Sequence, residues 1–317
     1  MRPKIAFAPD EIKAAARGED SLAQNERLLE AVKRAGGDVV SLEEANGLVW
    51  LEVGDAKPLS GLLDAYPNIS WVQLPWAGVD SFVAGGLFDH PAQFTCAKAS
   101  YGEQVGEHAL VLALAALRNL TAQARRPHWH MLEPESLFRK RVTILGAGGI
   151  ATTLIALLQP FGCDITVVRR TAESTPGANR TVGQAELDSI LPDTDVLVLA
   201  LALTPATTGI IGEKQLALLP DNAVLVNVAR GAHVDTDALV TALTTGQIAA
   251  AGLDVTYPEP LPAAHPLWTL DNVTITSHCA DSLEFVSHKL AERVADNVAA
   301  LVAGTPLLGL VDKHAGY

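Results

Sequence analysis

Three cysteines are all that 317 residues contain, and Cys96, Cys163 and Cys279 are widely spaced, odd in number and free of any CxxC pair. That pattern suggests neither a disulfide framework nor a structural zinc site, and the three are expected as small buried apolar side chains. Cations are also short: 23 Lys and Arg stand against 36 Asp and Glu, a formal charge of −13. A nucleic-acid or anionic-membrane surface needs clustered Lys and Arg, so neither partner is expected and a small molecule is. No uninterrupted apolar run reaches the roughly 18 residues of a membrane-spanning helix. The apolar stretch in MRPKIAFAPDEIK is too short for a secretion signal, and a cytoplasmic location is expected. Internal repeats and low-complexity segments are lacking too. What the chain has is core material, 49% hydrophobic against 19% charged residues, over a length that suits two domains better than one.

The stretch Arg141–Gln159, RVTILGAGGIATTLIALLQ, organises the rest. Its β-leaning run Val142–Leu145 breaks at Gly146-Ala147-Gly148-Gly149-Ile150-Ala151, then resumes as a helical pattern ended by Pro160 and Gly162. In a strand–glycine turn–helix unit the first glycine makes the tight turn and the second lets a pyrophosphate approach the backbone. The last small residue, here Ala151, lets helix pack on strand. Free amides and the helix dipole then face the phosphates. A turn in any βαβ unit is the plainer reading. The flanking periods favour a dinucleotide, with Gly146, Ala147, Gly148, Gly149 and Ile150 as its cradle.

Upstream, strands are expected at Lys4–Pro9, Asp38–Leu42, Leu48–Val53 and Ile69–Leu74. Helices are expected at Ser21–Ala35, with Leu22, Leu28, Leu29 and Val32 inward, and at Leu59–Tyr66. The loop Pro75–Asp80 follows a strand's carboxyl end, where open α/β sheets hold ligands, so Trp76, Ala77 and Gly78 are candidate substrate contacts; a plain β-to-α turn is the alternative. Phe94–Lys98 reads as one more strand. Glu103–Leu120 is a long helix, apolar nearly all round, that needs burial on more than one side and is taken as the domain link and as the interface of a homodimer. Thr121–Leu137 reads as a polar loop. Its His128-Trp129-His130 has no acid or cysteine at ligand spacing, so no metal is expected.

From Arg141 onward strand and helix alternate: the glycine unit, Asp164–Val168, a helix near Glu186–Leu191, Val196–Leu203, a helix near Gly212–Leu219, Ala223–Val228, the helix Thr236–Thr244, Ala249–Val255 and Val273–Thr276. Ser282–Ala303 is a final helix with Leu290, Val294, Val298 and Leu301 on one face. The expected fold is α/β with two domains. A doubly wound Rossmann-type nucleotide domain of six strands, residues 100–280, is inserted in a smaller flavodoxin-like parallel α/β domain, residues 1–99 completed by 281–317.

An NAD-selective unit carries an acid about 20 residues past the glycines, on the ribose hydroxyls. Here the second strand ends in Val168-Arg169-Arg170-Thr171, with two cations and no acid. A guanidinium forks onto a 2′-phosphate that a carboxylate would repel, so Arg169, Arg170 and Thr171 favour NADP(H), with NAD(H) second. Two solvated arginines on a loop are the plainer alternative.

Three later strands end in polar residues: Val226–Gly231 in Arg230, Leu253–Pro260 in Asp254 and Glu259, and Val273–Ser277 in His278. An Arg, a Glu and a His at neighbouring strand ends can clamp a carboxylate, favour a protonated imidazole and pass a proton to or from a carbonyl oxygen. Singly, each has a structural alternative: a surface ion pair, an exposed Pro-rich turn, a core histidine. Together, and downstream of a glycine unit, they point to catalysis.

Across residues 70–285 the sequence resembles the D-isomer-specific 2-hydroxyacid dehydrogenases, on GAGGIA, LALTPATTG, NVARG, AGLDVTYPEPLP and the histidine after VTIT. The resemblance implies that Arg230 binds the substrate carboxylate and keto group, His278 is the acid/base and Glu259 its partner. It further implies that Asp254 contacts the nicotinamide amide, that Thr204 of LALTPATTG joins the cofactor contacts, and that the Trp76-Ala77-Gly78 amides hold the carboxylate. The substrate expected is a small 2-keto or D-2-hydroxy acid of the glyoxylate/hydroxypyruvate type. Departures are Ser277 where Pro is frequent, Ala202 in place of the Pro of PLTP, and Arg169 in place of the acid. Two alternatives stand beside this: a nucleotide-sensing binding protein or corepressor on the same fold, and an NAD-dependent enzyme like phosphoglycerate dehydrogenase.

Overall fold

The computed structural model describes residues 2–9, 21–52, 54–129 and 131–317; Val53, His130 and the side chain of Leu22 lie outside it. The chain forms two compact units, residues 1–101 with 281–317 and residues 102–280. The first begins with β1 (Lys4–Ala8), α1 (Ser21–Arg34), β2 (Asp38–Val39), β3 (Gly47–Trp50), α2 (Lys57–Ala65), β4 (Trp71–Gln73), α3 (Asp80–Ala84) and β5 (Gln93–Thr95). The second holds α4 (Gly102–Leu117), α5 (Leu120–Arg125), β6 (Arg141–Leu145), α6 (Gly149–Leu158), β7 (Asp164–Arg169), β8 (Arg180–Gly183) and α7 (Leu187–Ile190). It continues through β9 (Val196–Leu199), α8 (Glu213–Leu218), β10 (Val224–Asn227), α9 (Thr236–Thr245), β11 (Ala250–Leu253) and β12 (Val273–Ile275). Helix α10 (Leu283–Ala303) belongs to the first unit again.

In the first unit the five strands lie in the order β2-β1-β3-β4-β5, all parallel. Strands buried on both faces read as near-continuous apolar runs, and this sheet is covered on both. On one face Leu28 and Val32 of α1 and Leu290, Val294 and Val298 of α10 pack with Ile5, Val49 and Trp71. On the other, Leu59 and Leu63 of α2 pack with Leu48, Val72 and Phe94. A buried polar chain ties α10 to the strands: Asn297 donates to Gln73 Oε1 at 2.9 Å, which also accepts from Thr95 at 2.8 Å, and Trp71 Nε1 donates to Thr95 at 3.0 Å. Every buried polar group in that chain is thereby matched, as burial demands.

The second unit carries seven parallel strands in the order β12-β11-β10-β9-β6-β7-β8. The order reverses between β6 and β9, and crevices of open α/β sheets form at the carboxyl ends beside such a reversal. Helices cover both faces, α4 and α6 on one and α7, α8 and α9 on the other.

The seventh strand, β8, is absent from the sequence reading because RTVG offers only Val182 for burial and pairs at the sheet edge with β7 alone. The expected long helix stops at Leu117 where Asn119 turns left-handed (φ +53°), and α5 restarts inside the stretch read as loop. Asn tolerates that backbone better than most residues. The strand expected over 38–42 is only Asp38–Val39, that expected over 196–203 ends at Leu199, and Cys279, expected to be buried, is exposed, while Cys96 and Cys163 are buried.

Candidate active site

Strand β6 is buried from Val142 to Leu145 and pairs on one side with β7, Leu145 opposite Val168, and on the other with β9, Leu145 opposite Leu199. Gly146 follows with φ +109°, and a Cβ there would run into the Ala200 carbonyl, so no other residue fits the turn. Its amide donates to Val168 O at 2.8 Å. Gly148 caps α6 in extended backbone, and nothing lies within 4 Å of the point a Cβ would occupy. The first intrahelical bond is Thr152 N to Gly148 O at 3.0 Å, so the amides of Gly149, Ile150 and Ala151 point out of the helix start. A backbone closed behind Gly146 and open before Gly148, at the positive end of a ten-residue helix, suits a pyrophosphate.

At the end of β7, Arg169 donates to the Glu173 carboxylate at 3.2 Å, and Arg170 and Thr171 are exposed beside it. After β9, Thr204 is half-buried: its amide donates to Thr207 Oγ1 at 2.8 Å, and Thr207 Oγ1 donates to Ala202 O at 2.8 Å. The threonines thus brace the loop where a proline is frequent.

The strand ends of β10, β11 and β12 are in register, Asn227 opposite Leu253 and Leu253 opposite Ile275. The residues that follow therefore emerge side by side. Asn227 accepts from Ala229 N at 3.0 Å and donates to Arg230 O at 2.9 Å, shaping the turn that presents the half-buried Arg230. Gly231 comes so close to Thr256 that a Cβ would overlap its carbonyl. His278 Nδ1 and Glu259 Oε1 are 2.6 Å apart, with side chains 49% and 41% exposed. An Nδ1–H on Glu259 leaves Nε2 to exchange protons.

Asp254 is 2% exposed and its carboxylate is spent largely on its neighbours. Oδ1 accepts from Thr276 Oγ1 at 2.6 Å and Cys279 N at 3.0 Å, and Oδ2 from Ala280 N at 3.3 Å. Burial pushes this carboxyl's pKa up, but hydrogen bonds from His108, Thr276 and Cys279 outweigh it and hold the pKa down at about 2. Oδ2, which accepts only the long bond from Ala280 N among the described hydrogen bonds, keeps capacity for a further donor.

In the first unit, the loop after β4 is braced from below. Trp76 stacks edge-on to Tyr101 at 5.9 Å, Tyr101 Oη donates to Pro75 O at 2.8 Å, and Ala97 N donates to Trp76 O at 3.0 Å. Burial pushes the Tyr101 phenol well above its ordinary range, which keeps that donor protonated. Trp76, Ala77 and Gly78 are half-buried.

Residues 108–280 match the model of the D-isomer specific 2-hydroxyacid dehydrogenase NAD-binding domain. The chain belongs to that family. Glyoxylate/hydroxypyruvate reductase A of Klebsiella pneumoniae (strain 342) is 32% identical over 287 residues, 84% of this chain and 90% of that one. A D-isomer specific 2-hydroxyacid dehydrogenase from Xanthobacter autotrophicus Py2, solved with NADPH and MES, superposes with a TM-score of 0.84 at 28% identity and covers 100% of both chains. The NADPH-dependent glyoxylate/hydroxypyruvate reductase of Sinorhizobium meliloti, solved with NADP and sulfate, gives 0.79 at 25% identity, again over 100% of both chains. This dehydrogenase is therefore an NAD(P)-dependent oxidoreductase of the 2-hydroxyacid class.

Two histidines of the dehydrogenase domain escape the sequence reading. His233, fully buried, lies 2.9 Å from Thr207 O through Nδ1 and 3.3 Å from Leu201 O through Nε2, joining the LALTPATTG loop to the NVARG turn. His108 of α4 lies 2.9 Å from Thr276 Oγ1 and 3.4 Å from Asp254 Oδ1. His233 lies three residues past Arg230, a local position that could have marked it. His108 is 168 residues from its partner and carries no local signal beyond being a polar residue in an apolar helix.

Proposed function

We propose that this dehydrogenase is an NADPH-preferring reductase of small 2-keto acids of the glyoxylate/hydroxypyruvate type, working in the cytoplasm as a homodimer. The observation that carries the reading is the His278–Glu259 pair at 2.6 Å, formed by the segments after β12 and β11, whose ends stand in register with that of β10, the strand before Arg230. When bound, the reduced nicotinamide supplies the hydride. The residues for holding such a cofactor are the amides of residues 148–151, Arg169, Arg170 and Thr171 on the adenosine side, and Thr204 and Asp254 toward the nicotinamide. In the first unit, the Trp76-Ala77-Gly78 loop serves the substrate carboxylate.

Arg230 clamps the carboxylate and the keto oxygen, a bidentate task its planar fork suits. His278, as imidazolium, gives its Nε2 proton to the keto oxygen as negative charge develops there, so the product leaves as the hydroxy acid and the imidazole is neutral. Glu259 favours the charged ring. Reduction needs a protonated His278 and oxidation of the hydroxy acid a neutral one, so the two directions are expected to show opposite pH trends.

The preference for NADPH is supported by the two cations that stand where an acid would reject a 2′-phosphate, and by the NADPH and NADP held by the two solved relatives. The homodimer is supported by α4, whose outward Val111 is 51% exposed beside half-buried Leu110 and Leu114. A panel of 2-keto acids assayed with NADPH and NADH tests the proposal. Fastest turnover is expected for glyoxylate and hydroxypyruvate with NADPH. Absence of turnover across the panel would replace the enzyme with a nucleotide-sensing binding protein.

A further inference from the structure

His278 occupies left-handed backbone, φ +51°, which a residue with a Cβ disfavours. Something must hold it there, and the exposed pairing with Glu259 is a weak restraint. The structure supplies a stronger one. Three consecutive amides converge on a single residue: His278 N donates to Asp254 O at 2.8 Å, Cys279 N to Oδ1 at 3.0 Å and Ala280 N to Oδ2 at 3.3 Å. The orientation of one buried carboxylate thus decides the path of the backbone from which the imidazole projects.

That carboxylate is itself oriented. The Thr276 hydroxyl spends its proton on Asp254 Oδ1 at 2.6 Å. The hydroxyl oxygen, 2.9 Å from His108 Nε2, is left to accept, which places the ring proton on Nε2 and brings the same N–H within 3.4 Å of Oδ1. We infer that His108 and Thr276 are positioning residues for His278, acting through Asp254: a donor on α4 aligns the carboxylate, and the carboxylate holds the strained turn that aims the imidazole. This rests on His278 being the proton donor, so the test separates the two claims.

The variants are His108→Gln, which keeps an N–H donor, His108→Phe, which keeps volume alone, Thr276→Ser and Thr276→Val, with His278→Gln as reference. Each is assayed for kcat and KM with glyoxylate and NADPH, for NADPH binding by fluorescence, and for Tm. A displacement of the imidazole by a fraction of an ångström to 1 Å is costly, so His108→Phe and Thr276→Val are expected to lose about ten- to a hundredfold in kcat, with a smaller change in NADPH affinity. His108→Gln and Thr276→Ser should stay within about threefold of the parent enzyme, a split that general loosening of the fold does not produce. Near-parental kcat in His108→Phe and Thr276→Val beside an inactive His278→Gln overturns the inference alone. Equal losses in the donor-keeping and donor-lacking variants overturn it as well, since the hydrogen bonds are then irrelevant. Normal turnover in His278→Gln removes the reading on which it rests. If Phe at 108 lowers Tm too far for assay, the Thr276 pair decides.

Discussion

Glu173 lies 3.2 Å from the Arg169 guanidinium, so a 2′-phosphate bound there, as proposed, would compete with that carboxylate. The pair is exposed, worth about 0.2–1 kcal/mol, and its removal in Glu173→Gln is expected to lower KM for NADPH by up to about fivefold while leaving NADH unchanged. Arg169→Asp should reverse the preference, read as the ratio of kcat/KM for the two cofactors; an unchanged ratio would refute the assignment of Arg169. His278→Ala is expected to lose about 10²–10⁴-fold in kcat with NADPH binding intact, checked by steady-state kinetics beside fluorescence titration. Asp254, whose pKa is lowered to about 2, stays ionised through any working range. Being lowered, its contribution to folding is whole above the ordinary carboxylate range and is lost only as pH falls through the folded value. Changes in rate between neutral and alkaline pH therefore trace to groups other than Asp254. At this scale the sequence made the strand-end positions of Arg230, Glu259 and His278 legible, their roles being the proposal made above. It was silent on His108 and on the Arg169–Glu173 pair, because a side chain's partner depends on where a remote element crosses it.

Strands β6 and β9, the two that flank the reversal, are tied at their starts by Arg141 and Asp195. Arg141 donates to the Asp195 carboxylate from Nε at 3.2 Å, from Nη2 at 2.8 Å and from its backbone amide at 2.8 Å. Burial pushes the Asp195 carboxyl up, yet those hydrogen bonds outweigh it and leave it below its ordinary value. Asp195→Ala should cost about 1–2 kcal/mol, the charge-assisted bonds being discounted because Arg141 is partly exposed. Because the folded value is lowered, the contribution is present at neutral pH and is lost on acidification below about pH 4. The Tm difference between parent and variant should accordingly shrink toward pH 3, measured by calorimetry across pH. Elements with strong periods, such as α10 and β10, were legible to within a few residues. The edge strand β8 and the α4–α5 break were not, since one buried valine and one left-handed asparagine make no periodic signal.

Over the whole molecule, two parallel sheets each bury apolar strands beneath helices on both faces. Among the described residues no helix is long and apolar enough to cross a membrane. Sedimentation should report a dimer of the 33.4 kDa chain, and substituting Asp for Val111 on the outer side of α4 should shift it toward monomer; a monomeric parent would remove the dimer from the proposal. The linear order of residues determined the alternation of strand and helix, the glycine cradle and the polar strand ends, because each depends on spacing within about 20 residues and on the period of burial. Only the tertiary structure decided that β6 lies beside β9, that the ends of β10, β11 and β12 stand in register, and that a histidine on α4 reaches Asp254 and Thr276. Those facts join residues well over a hundred positions apart in the case of His108. They follow from which faces must be buried together, and no local pattern records that.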